Sequence, residues 1–467
     1  MKKLLMNIRK NRKILIFLAI IFAARIISVM ALDADYNLDN DDMSYIESGI
    51  RFAETGTITM HSEYPSAQIM PGMTWLIALL YKIFGGGRML WLALKFLWAV
   101  MGTLTSLYIW RCVRMYAPDW CAYCAMLPML RADMLWMDNL ILTETPFLLA
   151  FTAMIYYSLK MAENRDFKTF WKCLIAYMCG LMLKANIAPF PLFVLLYLIL
   201  KKYDLKLLGK QCLVLAAVVL CFVIPWSVRN YIQFKAFIPL TYGAGNPALL
   251  GTYQGEGYPS DEELDYETNV SKVVREKYAY YYDDDGNVKP QYARYVSLQA
   301  DGIKARYRQA EWFKADWQSM ASSYLIEKPN KSVTTVFYWD TLLGISKDKV
   351  ADLSRIDLYL CIFAIAASFA LKKWRKEVLF IGGLYFANTY IYCFTFMFDR
   401  YNASIITPRF ILAGMGLALA VEAVGRGIDL AKKKKGGAET SPAAENNDCA
   451  EIKADEEKVP CLNSDAA

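Results

Sequence analysis

The chain contains a single histidine, His61, among 467 residues. That scarcity excludes zinc sites built on several imidazoles, and any triad that needs histidine has one residue to draw on. No Gly-x-Ser-x-Gly elbow, Walker loop or Gly-x-Gly-x-x-Gly turn occurs. Of the eleven cysteines, none falls in 33–70 or 227–352, the two long polar stretches. A disulfide framework in those stretches is therefore excluded. Cys121-Ala-Tyr-Cys124 has no second pair and no neighbouring histidine, and reads as packing. No internal repeat of the kind found in many secondary transporters is evident.

Apolar residues, by contrast, are abundant. They make up 56% of the chain, above the ~45–50% of soluble proteins, and apolar runs recur near the ~20-residue length that crosses a bilayer. The N-terminus carries Lys2, Lys3, Arg9, Lys10, Arg12 and Lys13 ahead of the run 14–32. This run exceeds a signal-peptide core and passes directly into acidic sequence, so it reads as an uncleaved first span with a cytoplasmic N-terminus. Further spans read at 89–110, 121–130, 140–159, 174–183, 189–200, 213–226, 356–371, 378–396 and 405–424, ten in all. The apolar run 71–84 is too short and reads as re-entrant or interfacial. Every strongly basic short loop then falls on one side, as the positive-inside rule requires.

The expected fold is an all-α polytopic membrane protein. Residues 1–226 form an N-terminal membrane module with a first outer loop at 33–70, and 227–352 form a small, mainly helical cap outside. C-terminal membrane helices follow at 353–425, then a disordered cytoplasmic tail at 426–467. The net charge of +7 is mostly the inside loops and calls for no nucleic acid.

The first outer loop holds the most chemistry. Met43, Ile46, Ile50 and Ala53 recur at helical spacing, Asp39 or Asn40 can cap, and Asp41 and Asp42 fall in the first turn. There the helix dipole favours an ionised carboxylate. On its own this reads equally as a well-capped interfacial helix.

Five stretches in register carry a resemblance. Asp41-Asp42-Met43-Ser44-Tyr45, then Gly49 and Gly56, resembles the Asp-Glu-x-x-Tyr opening of the GT-C glycosyltransferases. These are the polyprenyl-phosphate-sugar enzymes of the protein O-mannosyltransferase and aminoarabinose-transferase type. Pro71-Gly72-Met73-Thr74-Trp75-Leu76 is similar to the helix closing their first outer loop. Leu142-Thr143-Glu144-Thr145-Pro146-Phe147 resembles their Thr-Glu element, and Pro225-Trp226-Ser227-Val228-Arg229-Asn230-Tyr231 their Pro-Trp-x-x-Arg-Asn-Tyr exit. Arg400-Tyr401, shortly before Pro408, resembles the Arg-Tyr step into the last span. The pair is Asp-Asp rather than Asp-Glu, and Gln68-Ile69-Met70-Pro71 replaces the Lys-Pro-Pro of some lipid-modifying members.

The resemblance implies a GT-C fold and an inverting transfer of one sugar from a polyprenyl-phosphate donor to an acceptor hydroxyl, on a protein, wall polymer or glycolipid. It places the chain in a bacterial cytoplasmic membrane with both termini cytoplasmic and the catalytic face outside. Asp41 is then the base, with Asp42 orienting the acceptor or holding a divalent cation. Arg229, Arg400, Arg88 and Lys184 are candidates for the donor phosphate. Glu144, Tyr45, His61 and Tyr401 are candidates for the sugar and acceptor pocket. No cofactor is required, and a divalent cation is compatible with the sequence without being demanded by it. The competing class is a lipid-linked-sugar flippase or transporter without transfer activity.

Overall fold

A computed structural model describes residues 12–438, with side chains described to residue 428. Lys2, Lys3, Arg9 and Lys10, and the acidic tail from residue 439, lie outside the described residues. The chain divides into two units, Met1–Val421 and Glu422–Ala467. In the second, Arg426 pairs with Glu422 one helical turn earlier, at 2.7 Å.

The regular elements among the described residues are all helices, and the only β pairing among them is an isolated bridge between Tyr282 and Val288. In chain order the helices are α1 (Arg12–Leu32), α2 (Asp41–Thr55), α3 (Gly72–Phe84), α4 (Arg88–Arg114), α5 (Asp119–Met126), α6 (Ala132–Met137) and α7 (Glu144–Asn164). Next come α8 (Phe167–Leu183), α9 (Phe190–Leu200), α10 (Leu205–Phe234), α11 (Gly245–Leu250), α12 (Lys272–Lys277), α13 (Ala293–Ser322) and α14 (Lys328–Thr334). The last four are α15 (Lys347–Ala370), α16 (Arg375–Cys393), α17 (Asp399–Ala403) and α18 (Thr407–Ala438).

Among the described residues, five helices are long and apolar enough to cross a membrane: α1, α4, α10, α15 and, through Ile428, α18. The other expected spans are shorter, broken or more polar. The expected third span is the clearest departure. It splits into α5, a 3-10 turn over Leu127–Leu130 containing Pro128, and α6. Proline removes a helical donor and crowds the preceding turn. Just beyond, buried Arg131 forks onto Asp133 at 2.7 and 2.8 Å and reaches Asp357 of α15 at 2.5 Å. An ion network buried this deeply needs irregular backbone to gather its partners, and a straight apolar helix would not supply them.

Helices α7 and α8 form an antiparallel hairpin. Arg165 takes the left-handed conformation that ends α7, and the Asp166 side chain accepts the Thr169 N–H at 2.7 Å to start α8. The far ends of the hairpin therefore meet, bringing the start of α7 beside the end of α8.

Helix α2 lies against α3, but not through the expected stripe. Its buried residues are Asp42, Tyr45, Ile46, Ser48 and Gly49, while Met43, Ile50 and Ala53 are half-buried. Two facts explain the rotation. Ser48 Oγ shares a hydrogen bond with Thr74 Oγ1 at 3.0 Å and accepts the Thr59 N–H at 3.2 Å, so a polar residue is satisfied inside the contact. A Cβ on Gly49 would also lie 2.3 Å from Ile77, so only glycine permits this approach.

Residues 227–352 pack an aromatic cluster of Tyr242, Tyr278, Tyr281 and Tyr295 against Trp226 and Phe234 of α10, and against Ile58 and Ala67 of the 33–70 loop. The Tyr242 N–H donates to the Ala67 carbonyl at 3.1 Å.

Candidate functional site

Four charged side chains converge where α2, the α7–α8 hairpin ends and α17 meet. Glu144 opens α7 and is fully buried. The helix N-terminus favours its negative charge, and Lys184, which caps the C-terminus of α8, donates to Glu144 Oε1 at 2.9 Å. Arg400, on the short helix α17, donates from Nε to Glu144 Oε1 at 2.7 Å and from Nη2 to Oε2 at 3.3 Å. Its Nη1 donates to Asp41 Oδ2 at 2.5 Å. One guanidinium thus joins carboxylates that are distant in sequence. The fork geometry suits arginine and would not suit lysine.

The second oxygen of Asp41 is also engaged. His61 Nε2 lies 2.8 Å from Asp41 Oδ1, and His61 Nδ1 lies 3.0 Å from Ser44 Oγ. His61 has φ of 54°, the left-handed region that non-glycine residues rarely adopt. Burial pushes the Asp41 carboxyl up, but the His61 hydrogen bond and the Arg400 charge outweigh it and leave it well below the ordinary carboxylate range. Burial pulls Arg400 down, and the two carboxylates more than reverse that. Tyr45 lies buried beneath, its phenol pushed up by burial and then by the Asp41 charge. Tyr401 stacks on Tyr392 with centroids 4.6 Å apart, and burial, then the Tyr392 phenol, push its own phenol up against the opposing charges of Arg400 and Lys184. The structure therefore gathers Asp41, His61, Glu144, Lys184, Arg400, Tyr45 and Tyr401.

Two expected site residues, Arg88 and Arg229, are placed otherwise, and a third is held by the backbone. Asp42, expected to act beside Asp41, lines the same cleft as Asp41 and Arg400, but it is buried and closes the turn into α2. Its Oδ2 accepts the Leu38 N–H at 2.7 Å, and its Oδ1 accepts those of Asn40 and Met43, each at 3.1 Å. It therefore does the capping expected of Asp39 or Asn40, since Asn40 makes no side-chain cap bond. Arg88 is exposed and pairs with Asp33 at 3.2 Å. Arg229 donates to the Ser66 carbonyl at 2.8 Å and lies 5.2 Å from the Trp226 ring, tying α10 to the 33–70 loop. Asp42→Ala is expected to leave three partly buried N–H groups without their acceptor and to lower stability by about 1–3 kcal/mol. Thermal unfolding of the purified protein checks this.

A cleft of about 80 Å3 opens beside Asp41 and Arg400, walled by Phe337, Trp339 and Phe398. These aromatics were not singled out from the sequence. Trp339 falls in 227–352, a region with many Tyr and Trp residues, whereas nothing in the sequence marks Phe337 or Phe398. Trp339 is exposed and donates from Nε1 to Asp399 Oδ2 at 3.2 Å, next to Arg400 in the chain.

Among the described residues, no group of three or more His, Cys, Asp or Glu could hold a metal ion. Both Asp41 oxygens already face a guanidinium and an imidazole, and Asp42 is tied to backbone N–H groups. A divalent cation would have to displace Arg400, so this donor set does not suit one.

Residues 66–228 match the family described as dolichyl-phosphate-mannose-protein mannosyltransferase. No curated protein sequence matches the chain. Among solved structures, it aligns with ArnT from Cupriavidus metallidurans bound to undecaprenyl phosphate at 15% identity and a TM-score of 0.41, covering 88% of this chain and 78% of that one. It aligns with the oligosaccharyltransferase AglB from Archaeoglobus fulgidus, in complex with an inhibitory peptide and a dolichol-phosphate, at 15% identity and a TM-score of 0.49. That alignment covers 94% of this chain and 53% of AglB. Glu144 and Lys184 both lie within the stretch that matches this family.

Proposed function

We propose that the chain is an inverting glycosyltransferase that moves a single sugar from a polyprenyl-phosphate donor to an acceptor hydroxyl at the outer face of a bacterial cytoplasmic membrane. The observation that carries this is Arg400, held between Asp41 and Glu144, with Lys184 on the same Glu144 oxygen as the Arg400 Nε. The formal charges of the four groups cancel, so an incoming phosphate diester meets cations already in place.

The donor is activated, because its phosphate is a competent leaving group. The protein has to position the acceptor, remove its proton and stabilise the released phosphate. Nη1 and Nη2 of Arg400 each keep a second N–H, and the Lys184 ammonium keeps donors beyond its Glu144 bond. These N–H groups receive the phosphate oxygens. Asp41 is a poor base while Arg400 holds it, since that pairing depresses its proton affinity. Phosphate binding draws the guanidinium toward the donor, relaxes its grip on Asp41 and raises the basicity of the carboxylate as the acceptor hydroxyl arrives. Asp41 then takes the hydroxyl proton while the acceptor oxygen attacks the anomeric carbon and the carbon–phosphate-oxygen bond breaks on the opposite face. His61 holds the other oxygen and fixes the direction of the accepting lone pair. Trp339 and Phe398 offer apolar faces to the sugar.

On this reading the 33–70 loop is the catalytic loop and 227–352 is the cap over it. The ten-span topology is part of the proposal, with the shorter and broken helices completing the five of full length. In a chain cleared of its exposed Cys179 and Cys221, a cysteine at exposed Tyr280 is expected to label from outside intact cells. A cysteine at Arg111 should label only after permeabilisation. Outside labelling at Arg111 would overturn the topology. For the chemistry, product anomers are read by NMR after incubation with an isotopically labelled polyprenyl-phosphate sugar. A single displacement gives the anomer opposite to the donor, and retention would contradict the mechanism.

A further inference from the structure

An apolar groove of about 680 Å3 runs along α4, α7 and α8, away from the charged cluster. Gly72, Pro146 and Leu183 wall one end, and Tyr108, Arg111, Tyr157 and Lys172 wall the other. Pro146 and Tyr157 are both on α7, which puts the ends about 16 Å apart at the helical rise.

The second end carries two cations that line the groove itself. At the same end of the helices Arg114 pairs with Asp119, Lys160 with Glu163 and Lys201 with Glu377. Arg111 and Lys172 have no carboxylate partner among the described residues. Arg111 lies 5.4 Å from the Tyr108 ring and 5.8 Å from the Tyr156 ring, and Lys172 lies 5.7 Å from the Tyr157 ring. The Tyr108 and Tyr157 hydroxyls meet at 3.1 Å between them. Two cations outside any ion pair and a pair of hydroxyls thus close an apolar trough about half as deep as the ~30 Å bilayer core.

We propose that this groove holds an anionic glycerophospholipid, with its head-group phosphate on Arg111 and Lys172 and an acyl chain along α7. The inference rests on the topology above only in placing Arg111 at the cytoplasmic leaflet. Charge complementarity selects the occupant. A basic pocket between membrane helices on that side suits an anionic head group, and aromatic residues belong at the interface level. A polyprenyl chain entering from the Pro146 end would fill the same trough but make no use of either cation.

The test is native mass spectrometry of the full-length purified protein, titrated with phosphatidylglycerol and phosphatidylcholine of matched chains. The parent is expected to prefer phosphatidylglycerol. Arg111→Gln and Lys172→Gln should each reduce that preference about fivefold, and Arg111→Lys should keep it. Lys172 is exposed, so Lys172→Gln remains informative even where an Arg111 variant folds poorly. Equal binding of the two lipids by the parent, or a preference that survives the double substitution, overturns the proposal. Displacement of phosphatidylglycerol by polyprenyl phosphate, with the double variant binding polyprenyl phosphate unchanged, also overturns it and assigns the groove to the polyprenyl chain. Sugar transfer is measured separately on the same samples. Loss of lipid preference with transfer intact refutes this inference alone, and absence of transfer with the preference intact refutes the proposed function alone.

Discussion

Asp41→Asn is expected to reduce sugar transfer by about 10²–10⁴-fold, the usual contribution of a positioned base. The substitution keeps shape, and the amide oxygen can still accept from Arg400 Nη1, so α2 should stay docked. Its buried anchor is Asp42, not Asp41. Removing the Asp41 charge leaves Arg400 and Lys184 facing Glu144 alone, a local surplus of positive charge. Donor affinity should therefore hold or rise while kcat falls. That split separates a base from a residue that merely holds the loop. Near-parental turnover in Asp41→Asn, with Glu144→Gln inactive, would move the base to Glu144.

The depressed proton affinity of Asp41 also has a pH consequence. Its folded-state pKa lies below the unfolded value, so the stability it contributes is fully present above the ordinary carboxylate range near pH 4. That stability is lost only as pH falls through the lowered value. Mild acid should therefore leave the Arg400–Asp41 pair intact.

Arg400→Ala should produce the other large effect, on two readouts at once. Transfer loses charge-assisted hydrogen bonds to the phosphate, about 1.5–3 kcal/mol each, which is roughly 10–150-fold in kcat/KM for the donor per bond lost. Stability falls as well, because Glu144 is fully buried and keeps only Lys184 as a cation partner. Removing one member of a buried ion pair costs about 3–5 kcal/mol. Arg400→Lys should restore part of each, since an ammonium supplies charge without spanning both carboxylates. A variant with parental donor kinetics and a lowered Tm would reduce Arg400 to a structural tie between α17 and α7.

Much of this site was legible in the sequence, and the failures have definite causes. Asp41, Glu144 and Arg400 stand out because each is a charged residue at a helix start or a span end, where burial without a partner is costly. That they share one guanidinium is a tertiary fact, which no local spacing encodes. Asp42 was indistinguishable from Asp41, since both fall in the first turn of α2. Only the path of the chain through Leu38 and Asn40 shows that its oxygens are occupied. The buried face of α2 was misplaced because apolarity was the criterion. The Ser48–Thr74 hydrogen bond and the clearance at Gly49 decide the contact instead. Arg229 was grouped with the phosphate ligands from its place at a span end, but its length lets it reach Ser66 in the neighbouring loop. The expected third span, 121–130, is broken at Pro128, and the buried ion network of Arg131 lies just beyond its end, where no apolar run marks it.

The central claim is that the Arg400-bridged cluster cleaves the sugar from its polyprenyl phosphate. The most direct measurement follows purified protein in proteoliposomes with a polyprenyl-phosphate sugar labelled in both sugar and lipid. The account predicts that the two labels separate when acceptor is present, with free polyprenyl phosphate accumulating, and that Asp41→Asn abolishes the separation while still binding donor. Labels that stay joined while the intact donor crosses the bilayer would contradict it and identify a flippase.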